Sequence, residues 1–144
     1  TDSAAVLQTA ERAGKYAFGW NANMSHFGPK AHLASAVINW GPYYIKATKD
    51  VLDGTWSPGR VWWGMKEGAI DLVAMSDVVP TSIKTKVETI KSGLKDGSFT
   101  IWKGPVVTTE GKVVLAAGEV ATDQFLGRID FYVKGVEGLV PTGK

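Results

Sequence analysis

Short apolar runs and helical repeats alternate through the first 97 residues of this chain. That alternation admits few folds. Thr1-Asp2-Ser3 offers three N-cap residues in a row, Val6, Leu7, Ala10 and Ala13 follow at helical spacing, and Gly14 is a natural stop, so a helix is predicted over 3–13. Tyr16–Trp20 reads as an aromatic strand, 21–29 as a loop rich in turn formers, and Leu33–Ile38 as a strand apolar enough to be buried on both faces. Gly41-Pro42 opens a helix with one face at Tyr44, Ile45, Thr48, Val51 and Leu52, ended by Gly54. Extended pieces at 60–64 and 69–74 flank Met65–Gly68. Pro80 starts the longest helix, striped by Ile83, Val87, Ile90 and Leu94 and closed by Gly97. Beyond it, 99–102 and 112–115 read as strands around a Glu110-Gly111 turn, and Thr122 caps a last helix carrying Phe125, Leu126, Ile129, Tyr132, Val133 and Val136. The expectation is an α/β fold in a single unit over 1–144, with a mostly parallel sheet flanked by helices. The chain opens at a helix cap with no strand before it, as if in the middle of such a fold.

Composition narrows the function. The 144 residues are 44% hydrophobic and 21% charged, ordinary globular usage. A net charge of +2, scattered along the chain, gives no case for nucleic acid as a partner. No apolar run approaches the ~18 residues of a membrane span. With no Cys, thiol nucleophiles, disulfides and Cys-based metal sites are excluded. His26 and His32 straddle Gly28-Pro29 without metal-ligand spacing and read as surface or helix-neighbour residues. No nucleophile elbow, dinucleotide fingerprint or phosphate loop is present, Asp71, Asp77 and Asp123 form no obvious carboxylate pair, and a metal-dependent hydrolase lacks its ligand motifs. No enzyme activity, cofactor or metal site is expected.

In open parallel sheets ligands bind beyond the carboxyl ends of the strands. Three segments meet that rule: Thr1-Asp2 ahead of the first helix, Trp20-Asn21, and Asn39-Trp40 running into the next helix. Together they offer indoles for stacking, carboxamides and a carboxylate for hydrogen bonds, and free helix N–H groups, a mixture suited to a flat polar heterocycle or a sugar. Each residue has an equally plain structural reading. Trp20 suits a core or interface, Trp40 a staple at the helix start, Asp2 an N-cap, and Asn21 a turn. Trp62-Trp63-Gly64 suits a strand at a hinge, with Lys66-Glu67 as polar hinge contacts.

The segments YAFGWNANMSHFGPKAHLASAVINWGPYYIKATKDVLDGTW and WWGMKEGAIDLVAMSDVVP closely resemble the basic membrane protein family, also called the Med or PnrA-like group. FGPKAHL, NWGPYY, VLDGTW and GMKEG are the most specific pieces, and the likeness runs from TDSAAVLQTAERAG to GVEGLVP. These are lipoprotein or periplasmic substrate-binding proteins of certain ABC importers. The resemblance implies a type I periplasmic-binding fold of two α/β lobes, of which this chain would be a C-terminal portion. It implies a purine nucleobase or nucleoside between the lobes at Thr1, Asp2, Trp20, Asn21, Asn39 and Trp40, with Trp63, Gly64 and Lys66 at the hinge. It also implies an ABC permease as partner and a place in the periplasm, or lipid-anchored at the outer face of a bacterial membrane. Many members carry Asp where this chain has Asn21. A carboxamide cannot take two charge-assisted bonds from ribose hydroxyls, but it can both donate to and accept from a base such as adenine.

Two further expectations accompany this reading. If neighbouring strands are lacking beside 16–20 and 33–38, an apolar edge including Phe18, Leu33 and Val37 invites pairing, making the chain oligomeric or paired with the remainder of the protein. The alternative function is a self-standing α/β interaction module that oligomerises without capturing a ligand.

Overall fold

The structure, a computed structural model, describes residues 3–141. The chain forms two compact units, Thr1–Ser98 and Phe99–Lys144.

The first unit holds the helix–strand alternation. Helix α1 (Ala5–Arg12) begins where the Ser3 hydroxyl accepts the Ala5 N–H at 3.3 Å. It ends in a left-handed Gly14, with the Lys15 N–H bonded to the Ala10 carbonyl at 2.8 Å, a closure that glycine adopts without strain. Leu7 is its buried residue, and Gly28 lies so close that a Cβ there would meet the Leu7 carbonyl at 2.9 Å.

Strand β1 (Ala17–Asn21) pairs in parallel with β2 (His32–Ile38), although only residues 22–31 connect them. A buried polar knot holds this short crossover. The Ser35 Oγ accepts the Met24 N–H at 3.1 Å and lies 2.8 Å from His32 Nε2. The hydroxyl and the Nε2 are hydrogen-bonded to each other, and burial pushes the His32 imidazole below its ordinary 6.5. His32 is thus a core residue, 2% exposed, and not the surface histidine the sequence suggested.

Strand β3 (Ile70–Val73) pairs antiparallel with β2, giving the order β1-β2-β3 and a mixed sheet in place of the expected parallel one. The cause lies at 64–69. There the Ala69 N–H bonds the Gly64 carbonyl, the Gly68 N–H bonds the Met65 carbonyl, and the Asn39 N–H bonds the Ala69 carbonyl. The chain therefore enters β3 at the end where β2 leaves, pairing Ile38 with Ile70. β2 is central and paired on both sides; of the two strands expected to expose an edge, only β1 has an unpaired side among the described residues. The extended piece at 60–64 joins no sheet.

Helix α2 (Gly41–Leu52) turns inward with Pro42, Tyr43, Ala47 and Asp50, and the expected apolar face at Tyr44, Ile45, Thr48, Val51 and Leu52 is exposed. Helix α3 (Thr81–Asp96) keeps Val87 and Leu94 half-buried but exposes Ile83 and Ile90. It is tied to β3 through Lys91, whose ammonium reaches the Leu72 carbonyl at 2.8 Å and the Asp71 carboxylate at 3.0 Å.

In the second unit β4 (Val106–Val107) pairs antiparallel with β5 (Val113–Leu115) around the expected Glu110-Gly111 turn. Residues 99–102 form no strand; 102–104 instead run beside 119–121, with the Gly104 N–H bonded to the Glu119 carbonyl and the Ala121 N–H to the Trp102 carbonyl. Thr122 caps as expected, its Oγ1 accepting the Phe125 N–H at 3.2 Å, but helix α4 spans Asp123–Leu126 alone. The Tyr132 carbonyl accepts from the Thr109 N–H and the Lys134 N–H donates to the Val107 carbonyl, so residues 132–134 of the expected helix instead run beside 107–109.

Candidate ligand site

The carboxyl ends of β1 and β2 lie side by side, with Asn21 in register with Val37. Asn21 has φ +73°, a left-handed conformation that Asn tolerates better than most side chains, and it turns the chain sharply off the sheet. Trp20 and Trp40 both leave about half their surface open, at 50% and 55%. Asn39 Oδ1 accepts the Gly41 N–H at 3.2 Å and so starts α2, while its Nδ2 has no partner among the described residues.

The start of α2 then builds an aromatic wall. The Trp40 and Tyr44 rings stack at 6.1 Å, and Tyr43 meets Trp63 edge-on at 5.8 Å. Trp40, Tyr43 and Trp63 line a cavity of about 360 Å³, with Asn39, Val61 and Ile70 also in its lining. Its size falls in the range of small-molecule sites, and its lining is mainly apolar with few polar groups.

Of the residues singled out from sequence, the structure gathers Asn39, Trp40 and Trp63 around this cavity. Trp20 and Asn21 stand at the same sheet end but do not line it. Gly64 adjoins it in the chain, its N–H held by the Glu67 carboxylate at 2.8 Å, and Lys66 is exposed. Thr1 and Asp2 lie outside the described residues. Tyr43, Val61 and Ile70 also line the cavity and were not singled out from sequence. The tyrosine pair at 43–44 was the available signal, but the helical stripe assigned Tyr44 the inward place that Tyr43 takes.

The profile of the ABC transporter substrate-binding protein PnrA-like family, Bmp, matches residues 1–100. A purine-binding protein of Brucella abortus is 40% identical over 141 residues, covering 98% of this chain and 40% of its own length. A Haloferax volcanii protein assigned as an ABC transporter glucose-binding protein is 28% identical over 142 residues, covering 98% of this chain and 34% of its own length. A crystal structure described as a transcriptional activator of the comK gene from Bacillus halodurans superposes with a TM-score of 0.60 at 20% identity, over 67% of this chain and 34% of that one, and shares the fold alone. The chain belongs to the PnrA-like ABC transporter substrate-binding family. It spans 40% and 34% of the length of these two curated relatives.

Proposed function

We propose that this chain is part of the solute-binding component of an ABC importer, and that it captures a purine nucleobase or nucleoside by binding alone, without catalysis. The observation that carries the reading is the cavity where Asn39 and Trp40 meet Trp63 at the sheet end. An indole face stacks a flat base, and the free Nδ2 of Asn39 donates to a ring nitrogen or carbonyl. Asn21 and Trp20 extend the same edge toward the ligand's rim, and Thr1 and Asp2 belong to it on the family resemblance. The overall form is the two-lobed type I periplasmic fold, with Trp63, Gly64 and Lys66 at the hinge and the ligand closing the lobes. The closed form docks on the permease at the outer face of the membrane. No helix among the described residues is long and apolar enough to cross that membrane. The 40% identical relative, named as purine-binding, supports the choice of base over sugar.

The test is tryptophan fluorescence of the purified protein on titration with adenine. Saturable quenching that Trp40→Ala reduces supports the reading, and no saturable change overturns it. A second reading, an oligomeric interaction module, draws on the exposed α2 face of Tyr44, Ile45, Val51 and Leu52. Sedimentation showing an oligomer that binds no adenine would favour it.

A further inference from the structure

A second concavity, of about 280 Å³, also has Tyr43 and Trp63 in its lining. Tyr43, Gly59, Val61 and Trp63 line both spaces, but the second one has a different chemistry. Lys46, Asp50, Trp56 and Arg60 line it alone. Lys46 and Asp50 are paired one helical turn apart and cancel. Arg60 has no ion-pair or hydrogen-bond partner for its guanidinium among the described residues, so the space carries one uncommitted positive charge. The wall beside it is fixed: the Thr55 and Trp56 N–H groups both bond the Asp50 carbonyl, at 2.8 and 3.1 Å, which folds the chain after α2 back so that Trp56 joins Trp63 and Tyr43 in the lining.

We infer that this groove is a second small-molecule site, for a flat ring bearing an anionic group. A planar guanidinium with five donors matches the paired oxygens of a carboxylate or phosphate better than any other side chain does. The aromatic walls take the face or edge of the ring, and Thr55 and Ser57 border the groove with hydroxyls. The apolar cavity described above has no cationic side chain in its lining and would leave such an anion unpaired. Ring carboxylates and nucleoside monophosphates share this chemistry. Because the two spaces have Tyr43 and Trp63 in common, an occupant of one presses on the wall of the other.

Calorimetric titration of the purified protein with indole-3-carboxylate, AMP, indole, adenosine and adenine decides it. We expect indole-3-carboxylate to bind at least tenfold more tightly than indole, or AMP to show a second binding event that adenosine lacks. Arg60→Gln should abolish that preference and Trp56→Ala should weaken the anion about tenfold. Arg60 is exposed and Trp56 half-exposed; thermal melts verify that both variants fold, and neither should move adenine affinity by more than twofold. Binding of the carboxylate alone or of AMP alone supports the site and names the source of its anion. No anion binding at millimolar concentration, or a preference unchanged in Arg60→Gln, overturns it. Adenine binding without anion binding would remove this site and leave the purine reading, and the reverse result would do the opposite.

Discussion

The Tyr43 ring meets the Trp63 indole edge-on, centroids 5.8 Å apart and planes at 83°, and so joins α2 to a segment that no strand pairing holds. Edge-to-face pairs contribute about 0.5–1.5 kcal/mol beyond their buried area. A double-mutant cycle with Tyr43→Leu and Trp63→Leu in urea unfolding should return a coupling in that range. Additive losses would mean that the contact is incidental.

Asn21 sits at the turn off β1 in a left-handed conformation that Asp tolerates as well as Asn. Asn21→Asp should therefore leave the melting temperature nearly unchanged. It should shift preference from adenine toward adenosine, because a carboxylate is satisfied by ribose hydroxyl donors. Parallel titrations give the ratio, and an unchanged ratio would remove Asn21 from the site.

Gly19 is opposite Ser35, and a Cβ on it would stand 3.0 Å from the Met24 Cβ and collide with the Ser35 hydroxyl. Gly19→Ala should destabilise the chain by about 1–3 kcal/mol, the usual cost of forcing atoms into a packed core. Denaturant midpoints check this. A neutral substitution would show that the Met24–Ser35–His32 knot yields freely.

Three titrations separate by pH. The folded state lowers the His32 pKa below 6.5, so the unfolded chain protonates first. Stability is full above 6.5 and is lost as pH falls from there through the lower folded value. For Asp71, burial opposes the charge, but the Lys91 hydrogen bond, the Leu72 N–H and the nearby ammonium groups outweigh it and hold the carboxyl below 3.8. Its contribution is present above 3.8 and lost as pH falls through the folded value. For Lys91, burial lowers the pKa but the Asp71 bond outweighs it and raises it above 10.5. Its contribution is present below 10.5 and lost as pH rises through the folded value. Urea unfolding across pH should show the middle step vanish in His32→Gln and the outer two shrink in Lys91→Met. A step near 6.5 that persists in His32→Gln would contradict the account.

The ends of α1, α2 and α3 were legible because Gly14, Gly54 and Gly97 all adopt the left-handed turn that glycine favours. The β1–β2 pair was legible from its apolar runs. The direction of β3 was not, since it depends on backbone bonds among Asn39, Gly64 and Ala69 that no periodicity encodes. The last helix was misread because Tyr132 and Val133 fit a helical stripe, but the open edge of β4 offered the backbone partners first. Strand-end reasoning named Asn39 and Trp40, and both line the cavity. Trp63 was noted as a hinge residue, and its place in the cavity wall depends on how 55–63 folds back over α2, which is a tertiary matter.

Purine capture is the central claim, and calorimetry of the purified protein with adenine and with glucose addresses it most directly. We expect adenine to bind and glucose not to, with Trp40→Ala losing roughly 1–3 kcal/mol of adenine affinity, the worth of one base–aromatic stack. Glucose binding in the absence of adenine binding, or adenine affinity untouched by Trp40→Ala, would contradict it.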